Sequence, residues 1–342
     1  MVARVIKTGL KSLLLLGLAV TGLSIPGTPA GAGELEDAFD RTFTAQPLLP
    51  RYGDPLQAEV ASLANAAQGR IGVAAIDLAT GRSVAVLGNQ PFPLASTSKI
   101  AVVAAYLEGV DQGRFHLSDQ FPMMVPIPSR KFSSTEAPVR PGGLVSAERL
   151  IELAITRSDN QATDALIAAI GGTQAVNRWL AKTGNSGIRM DRTIATLVRD
   201  DGAVNPATNV DVRDSATPLA MARLLQGLYQ GQWLSPSSRN VLLGAMSRCI
   251  TGKKRIPALL PAEARVAHKT GTLNNTSSDV GILETPDGRA IAVAIYVTGQ
   301  GGKPGREQKI AWLARSIYQG YQAQEARVKS NVQVIADELK KK

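Results

Sequence analysis

A serine hydroxyl is a weak nucleophile, so a chain that uses one must place a base within hydrogen-bond reach and donors where an oxyanion forms. Histidine, the usual base, occurs only as His116 and His268. His116 lies in the turn-like stretch Arg114-Phe115-His116 and His268 directly precedes Lys269, which is poor material for a Ser-His-Asp triad. A lysine base is at hand instead. Ser96-Thr97-Ser98-Lys99 stands at the start of a predicted helix, Ser98 to Glu108, and one helical turn puts Ser96 and Lys99 on the same face. The helix N-terminus and burial both disfavour a protonated amine there, so both bring the lysine toward a useful base. By itself S-x-x-K is a loose pattern, equally the mark of a serine cap followed by a solvated lysine.

Two further triplets narrow it. Ser158-Asp159-Asn160 falls in the break between two predicted helices, where Ser158 can pass a proton to a leaving group and Asn160 can hold a substrate amide. The same triplet also suits an ordinary N-cap for the helix that begins at Gln161. Lys-Thr-Gly occurs at Lys7, Lys182 and Lys269. Lys7 falls in an N-terminal leader and Lys182 ends a helix stopped by Gly184, so both have bland explanations. Lys269-Thr270-Gly271-Thr272 instead follows Val266-Ala267 in a predicted strand, where Gly271 lets a ligand backbone come close and the strand edge can pair with a peptide-like substrate. The backbone N–H groups of Thr272 and Ser96 are then the natural oxyanion hole.

The elements around these residues read as two sets of strands enclosing helices. Pro55 to Ala67 is a helix capped by Asp54, and Ile71 to Asp77 with Ser83 to Leu87 is a hairpin turning at Thr80-Gly81. Strand signals then stop after Pro93 until about Val266, and helices are predicted at 147–156, 161–170, 173–182, 218–230 and 236–246. Val266 to Lys269, Asp279 to Glu284 and Ile291 to Val297 resume the β pattern, followed by a closing helix over 307–322. Neither terminal set of strands can bury a face alone, so both must share one antiparallel sheet. The expected fold is α+β: an antiparallel β-sheet flanked by helices (54–93 plus 262–322) with an inserted all-helical domain (94–261). A tail, 323–342, has the pattern of a helix.

Arg4, Lys7 and Lys11 precede an apolar run, Leu13 to Leu23, and the small residues Ala30-Gly31-Ala32 follow, which is the pattern of a signal peptide over 1–32. The expected product is exported, periplasmic or secreted, with a leader over 33–53 and no stable membrane span after cleavage. The chain of 342 residues carries a formal charge of +10, but its basic residues are scattered, with Lys253, Lys254 and Arg255 the one dense internal cluster. That excludes a nucleic-acid reading. A single cysteine, Cys249, forbids an internal disulfide and is expected to be buried in a helix; with two histidines beside it no metal site is readable.

With S-x-x-K, S-D-N and K-T-G in that order, the chain resembles the serine β-lactamase and penicillin-binding family, class A β-lactamases in particular. Pro91-Phe92-Pro93, Gly171-Gly172, Thr251-Gly252 leading to Leu260-Pro261, and Ala267-His268 before Lys269 match as well, so the likeness runs from Pro55 to Tyr321. It implies a cleft between the two parts, Ser96 as nucleophile, Lys99 as base, Ser158 as proton relay, and Asn160, Lys269, Thr270, Gly271 and Thr272 as substrate-binding residues. The family's Ω-loop corresponds to Met190 to Thr196 and onward, with Arg192 and Asp214 matching the pair that closes its neck. Ile194 stands where the family has the glutamate that activates the deacylating water, and Val198 where an Asn usually follows. Asp200, Asp201 and Asp211 in this loop are candidates for a relocated base, though solvated loop carboxylates are the favoured reading. Val280 occupies one family position for the carboxylate-binding arginine, and Arg255 is a nearby candidate.

The expectation is a monomeric, cofactor-free serine hydrolase acylated at Ser96 by β-lactams, with ring opening and impaired deacylation. A D,D-peptidase or esterase-like enzyme acting on D-alanyl peptides is the alternative enzyme. A protein that binds β-lactam or muropeptide ligands without turnover, as a sensor does, is the alternative from another class.

Overall fold

The computed structural model describes residues 54–66 and 68–339, with only the backbone of 325–339. The expected signal peptide and leader lie outside the described residues. Helix α1 (Pro55–Leu63) starts where Asp54 accepts from Leu56 N at 2.8 Å. Strands β1 (Gly69–Asp77) and β2 (Ser83–Val86) form the expected hairpin. A short strand β3 (Phe92–Pro93) leads into a 3-10 turn, Ala95–Ser98, and helix α2 (Lys99–Asp111). There follow β4 (Gln120–Pro126), β5 (Val139–Ser146), α3 (Ala147–Thr156), α4 (Asn160–Ala169), α5 (Thr173–Lys182), β6 (Ile188–Arg189), α6 (Ile194–Arg199) and β7 (Ser215–Ala216). Helices α7 (Pro218–Gln230) and α8 (Pro236–Ser247), a 3-10 turn at Ile256–Leu259, strands β8 (Arg265–Leu273), β9 (Thr276–Glu284) and β10 (Ala290–Gly299), and helix α9 (Lys303–Leu339) complete the chain.

Strands from both ends of the chain do share one antiparallel sheet, in the order β2-β1-β10-β9-β8. Successive side chains point to opposite faces, and the sheet is covered on both. Ile71, Val73, Ala75, Val293 and Ile295 pack with α1 and α9, while Ala74, Ile76, Ile282, Ala294 and Tyr296 face the helical core. Helix α2 is buried around nearly its whole circumference, so it is the central post of that core. Among the described residues no helix is long and apolar enough to cross a membrane.

Three expectations need correction. The stretch between Pro93 and Val266 is not free of strands: β4 and β5 form a hairpin, and β3, β7 and β6 a small three-stranded sheet. Pro122, Pro126, Pro141 and the pair Gly142-Gly143 hide the hairpin from a propensity reading, and a register shift between Pro122 and Met124 breaks its alternation. The closing helix is longer than 307–322, running without a break from Lys303 to Leu339. Cys249 is not buried in a helix; it lies half-buried just past α8, with its sulfur 3.2 Å from Thr251 Oγ1.

The long loop between β6 and β7 is closed at its neck by a buried carboxylate. Asp214 is 3% exposed, accepts from Asp191 N at 2.7 Å and Arg192 N at 3.0 Å, and pairs with the Arg192 guanidinium. Its backbone sits at φ 48, a strained conformation for a residue with a side chain, held because Leu94 N, just ahead of Ser96, bonds its carbonyl at 2.8 Å. The neck therefore anchors the serine turn as well as the loop. Replacing Asp214 by Ala leaves two N–H groups unpaired and the Arg192 guanidinium with only Asp211, 3.7 Å away, and is expected to cost about 2–4 kcal/mol in urea unfolding; a loss under 1 kcal/mol would show that the neck carries little.

Candidate active site

Ser96 is half-exposed between two buried neighbours, Ala95 and Thr97. The turn that presents it is tied down locally: Thr97 Oγ1 donates to Leu94 O at 2.6 Å and Ser98 Oγ to Ala95 O at 2.9 Å. Ala95 holds φ 46, so the chain is strained immediately before the serine. Ser158 shows the same feature at φ 58. That twist points its carbonyl and hydroxyl inward, while Asp159 caps α4 through Ala162 N at 2.8 Å and leaves Asn160 on the same side. The S-D-N triplet is thus a helix cap and a polar loop at once.

Lys99 and Lys269 are both fully buried and both reach this loop. Lys99 Nζ lies 2.6 Å from Ser158 O, 2.7 Å from Asn160 Oδ1 and 3.4 Å from Ser158 Oγ. Lys269 Nζ donates to Ser158 Oγ at 2.9 Å and to Thr270 O at 2.9 Å. Burial, and then the charge of Lys269, hold the Lys99 ammonium well below the ordinary lysine value, against the opposing pull of Asp159 and Asp164. Burial lowers Lys269 as well, to about 8. Two ammonium groups sharing one hydroxyl make a proton easy to remove from either.

Strand β8 lies at the edge of the sheet and brings Thr270, Gly271 and Thr272 to the serine turn. A Cβ at Gly271 would fall 2.3 Å from Ser278 Oγ and 3.0 Å from Leu94 O, so only glycine lets the strand approach. Ser96, Ser158, Asn160, Arg255, Thr270 and Thr272 line one pocket of ≈ 320 Å³ together with Thr251, Gly252, Lys303 and Glu307. Arg255 does not offer a free fork to it. Its guanidinium donates to Gly271 O and Ser278 O at 2.8 Å, to Thr272 Oγ1 at 2.7 Å and to Glu307 at 3.2 Å, so it braces the strand and orients the Thr272 hydroxyl. His268, dismissed as a base, is buried against Asp279 at 2.9 Å; burial opposes its charge, but Asp279 lifts it to about 10.

Residues 55–321 match the model of the β-lactamase enzyme family. The chain belongs to that family. It is 31% identical to β-lactamase CTX-M-8 of Citrobacter amalonaticus over 80% of this chain and 92% of that one. It is 27% identical to β-lactamase VEB-1 of Pseudomonas aeruginosa over 71% and 82%. Among solved structures it resembles an ancestral class A β-lactamase, with TM-score 0.66 and 36% identity over 77% of this chain and 99% of that one. A β-lactamase from Chitinophaga pinensis gives TM-score 0.68 and 27% identity over 78% and 100%.

In this β-lactamase-family chain the loop that Asp214 closes turns an apolar side chain inward. Ile194 is 2% exposed and packs into the helical core at the first turn of α6. Its N–H and that of Ala195 are accepted by Asp164 at 2.7 and 2.8 Å. Asp164 was not singled out from the sequence, although it stands one helical turn beyond Asn160 on the same face of α4, which is the signal that would have found it. Burial raises its carboxyl to about 6 even though both N–H groups and Lys99 work against the rise.

Of the three loop carboxylates only Asp200 is buried, Asp201 and Asp211 are half-exposed, and none of them lines the Ser96 pocket. Asp200 is 7% exposed, paired with Arg199 at 2.8 Å and accepting from Phe132 N at 3.0 Å. Asp201 accepts from Asn274 N at 2.9 Å, and Asp211 pairs with Arg213 at 2.9 Å. All three line a different cavity, beside Leu273 and Asn274. The β4–β5 connection clamps this side: Ala137 N donates to Thr196 Oγ1 at 2.8 Å and Arg199 reaches Ser134 O at 2.9 Å.

The raised carboxyl of Asp164 has a defined pH consequence. Because its folded value, about 6, lies above the ordinary 3.8, the stability it contributes is complete below 3.8 and lost as pH rises through about 6. Asp164→Asn removes that loss. Between pH 4 and pH 7.5 the wild type is expected to lose up to about 3 kcal/mol relative to the variant in urea unfolding. Parallel pH profiles of the two proteins would show that the carboxyl titrates normally.

Proposed function

We propose that this chain is an exported active-site-serine hydrolase that is acylated at Ser96 by β-lactams and by D-alanyl peptides or esters, and releases the acyl group slowly. The observation that carries this is the convergence of Lys99 and Lys269 on Ser158, within 3.4 Å, beside Ser96. A neutral Lys99 has two protons, which serve Ser158 O and Asn160 Oδ1, and its lone pair is left for the Ser96 hydroxyl. Ser96 Oγ attacks the carbonyl, its proton passes by way of Lys99 and Ser158 to the leaving nitrogen, and the C–N bond breaks as the Ser96 ester forms. The N–H groups of Ser96 and Thr272 would hold the oxyanion.

Asn160 belongs to the Lys99 wall and faces the acyl half of the substrate. Lys269, Thr270 and Thr272 belong to the β8 wall. In a β-lactam and in a D-alanyl peptide alike, the carboxylate is carried on the carbon next to the scissile nitrogen, so these residues mark the leaving-group side. Arg255 acts there through Thr272. The second enzyme reading, a D,D-peptidase or esterase-like activity, uses the same acylation of Ser96 and requires release of the acyl group without a carboxylate at Ile194. Export is supported by the basic start and apolar run at Leu13 to Leu23.

Mixed with a reporter penicillin and followed by intact mass, the mature protein is expected to carry one persistent adduct that Ser96→Ala lacks. An adduct on Ser96→Ala, or neither adduct nor product in wild type, would overturn the proposal. Ile194→Glu is expected to shorten the adduct lifetime by about 10²-fold, the contribution of a placed general base, while Ile194→Gln does not. Equal lifetimes in both variants would mean that the missing carboxylate is not what limits release.

A further inference from the structure

A second cavity adjoins the Ser96 pocket at Glu307. Glu307, which lines the Ser96 pocket, also lines an open groove of ≈ 450 Å³ whose walls include Lys253, Lys254, Leu259 and Trp312. Lys253 and Lys254 are exposed and make no hydrogen bond or ion pair among the described residues. Glu307 is the one acid among the lining residues, and it is already paired with Arg255 at 3.2 Å and lies 4.0 Å from Lys303. The groove therefore keeps a positive field. Its floor is apolar and aromatic: Trp312 is 41% and Leu259 38% exposed, and the indole face carries Lys309 at 5.9 Å from its centre. Two unpaired lysines and a half-exposed indole lining one groove suit a chain that bears carboxylates and presents flat or apolar surface between them.

Its position says which part of a substrate that is. Glu307 reaches the active site through Arg255 and Thr272, on the β8 wall, whereas Asn160 lies with Lys99 on the opposite wall. Thr270 and Thr272 line the Ser96 pocket and Lys253 and Lys254 do not, so a substrate that reaches the lysines extends beyond that pocket. We propose that the groove binds an acidic peptide extending from the leaving group, so that the amine released when the Ser96 ester forms carries further residues with carboxylates. The enzyme then cuts within acidic D-alanyl peptides in preference to trimming one terminal residue. This rests on the acylation of Ser96 proposed above.

Two measurements separate the parts. In the first, a synthetic product peptide, D-alanine followed by two glutamates, is titrated calorimetrically into the mature chain. Binding is expected to weaken roughly tenfold in the Lys253→Ala/Lys254→Ala variant, and for the same peptide with glutamines in place of the glutamates. Equal binding in either comparison would sink the groove assignment. In the second, release is followed from two donors with the same acyl half, one losing D-alanine and the other losing the acidic peptide. The acidic donor is expected to have the higher kcat/KM, roughly tenfold, and the lysine variant to abolish that advantage while leaving the short donor unchanged. A working short donor with no advantage for the acidic one overturns the leaving-group subsite and leaves Ser96 intact. Binding of the peptide with no acylation by either donor overturns the Ser96 reading, and with it the assignment of the groove to a leaving group.

Discussion

Two buried ammonium groups that meet over one serine hydroxyl are the constraint on which the rest of this site depends. Lys99 and Lys269 have no exposed surface, and a buried charge is tolerated only where hydrogen-bond acceptors surround it. Those acceptors come from Ser158, Asp159, Asn160 and Thr270, so the N-terminus of α2, the strained loop before α4 and the edge strand β8 must all arrive at one point. The same crowding that makes the arrangement demanding gives it its chemistry. Each ammonium makes the other easier to deprotonate, and a neutral amine next to a serine is a base.

The loop beneath this cluster is built by the same logic with a different filling. Asp214 and Arg192 close its neck, and Asp164 holds the start of α6 by its backbone. What the loop presents inward is Ile194, packed among apolar core side chains. Burying a methyl-rich side chain there stabilises the loop. The polar groups around Ser96 and the apolar inward face of the loop are therefore built by separate sets of contacts. Farther along the loop, Asp200, Asp201 and Asp211 are each tied to an arginine or to backbone N–H groups.

Much of this was legible before any coordinates. Helices α3, α5 and α7 fall on the residues that their caps and periodicity mark, since Ser146 and Thr217 cap two of them in the ordinary way. The β4–β5 hairpin was not, because its prolines and glycines suppress strand propensity and its partner is supplied by pairing, which a local pattern cannot register. Asp164 was overlooked for a related reason: within α4 it reads as one more polar residue, and its importance comes from two N–H groups on α6, thirty residues away in the chain.

The amino-acid sequence by itself determined the chemical inventory: a serine and lysine one turn apart, S-D-N in a helix break, and K-T-G in a strand. Those facts follow from residue identity and short-range spacing, which covalent geometry converts directly into local structure. Only the tertiary structure decided that both lysines converge on Ser158, that Arg255 braces β8, that the loop aspartates are engaged by arginines or backbone N–H groups, and that a basic groove meets the Ser96 pocket at Glu307. Each of these depends on a contact between segments far apart in sequence. A side chain's proton affinity and availability are set by whatever the fold brings within a few ångströms of it.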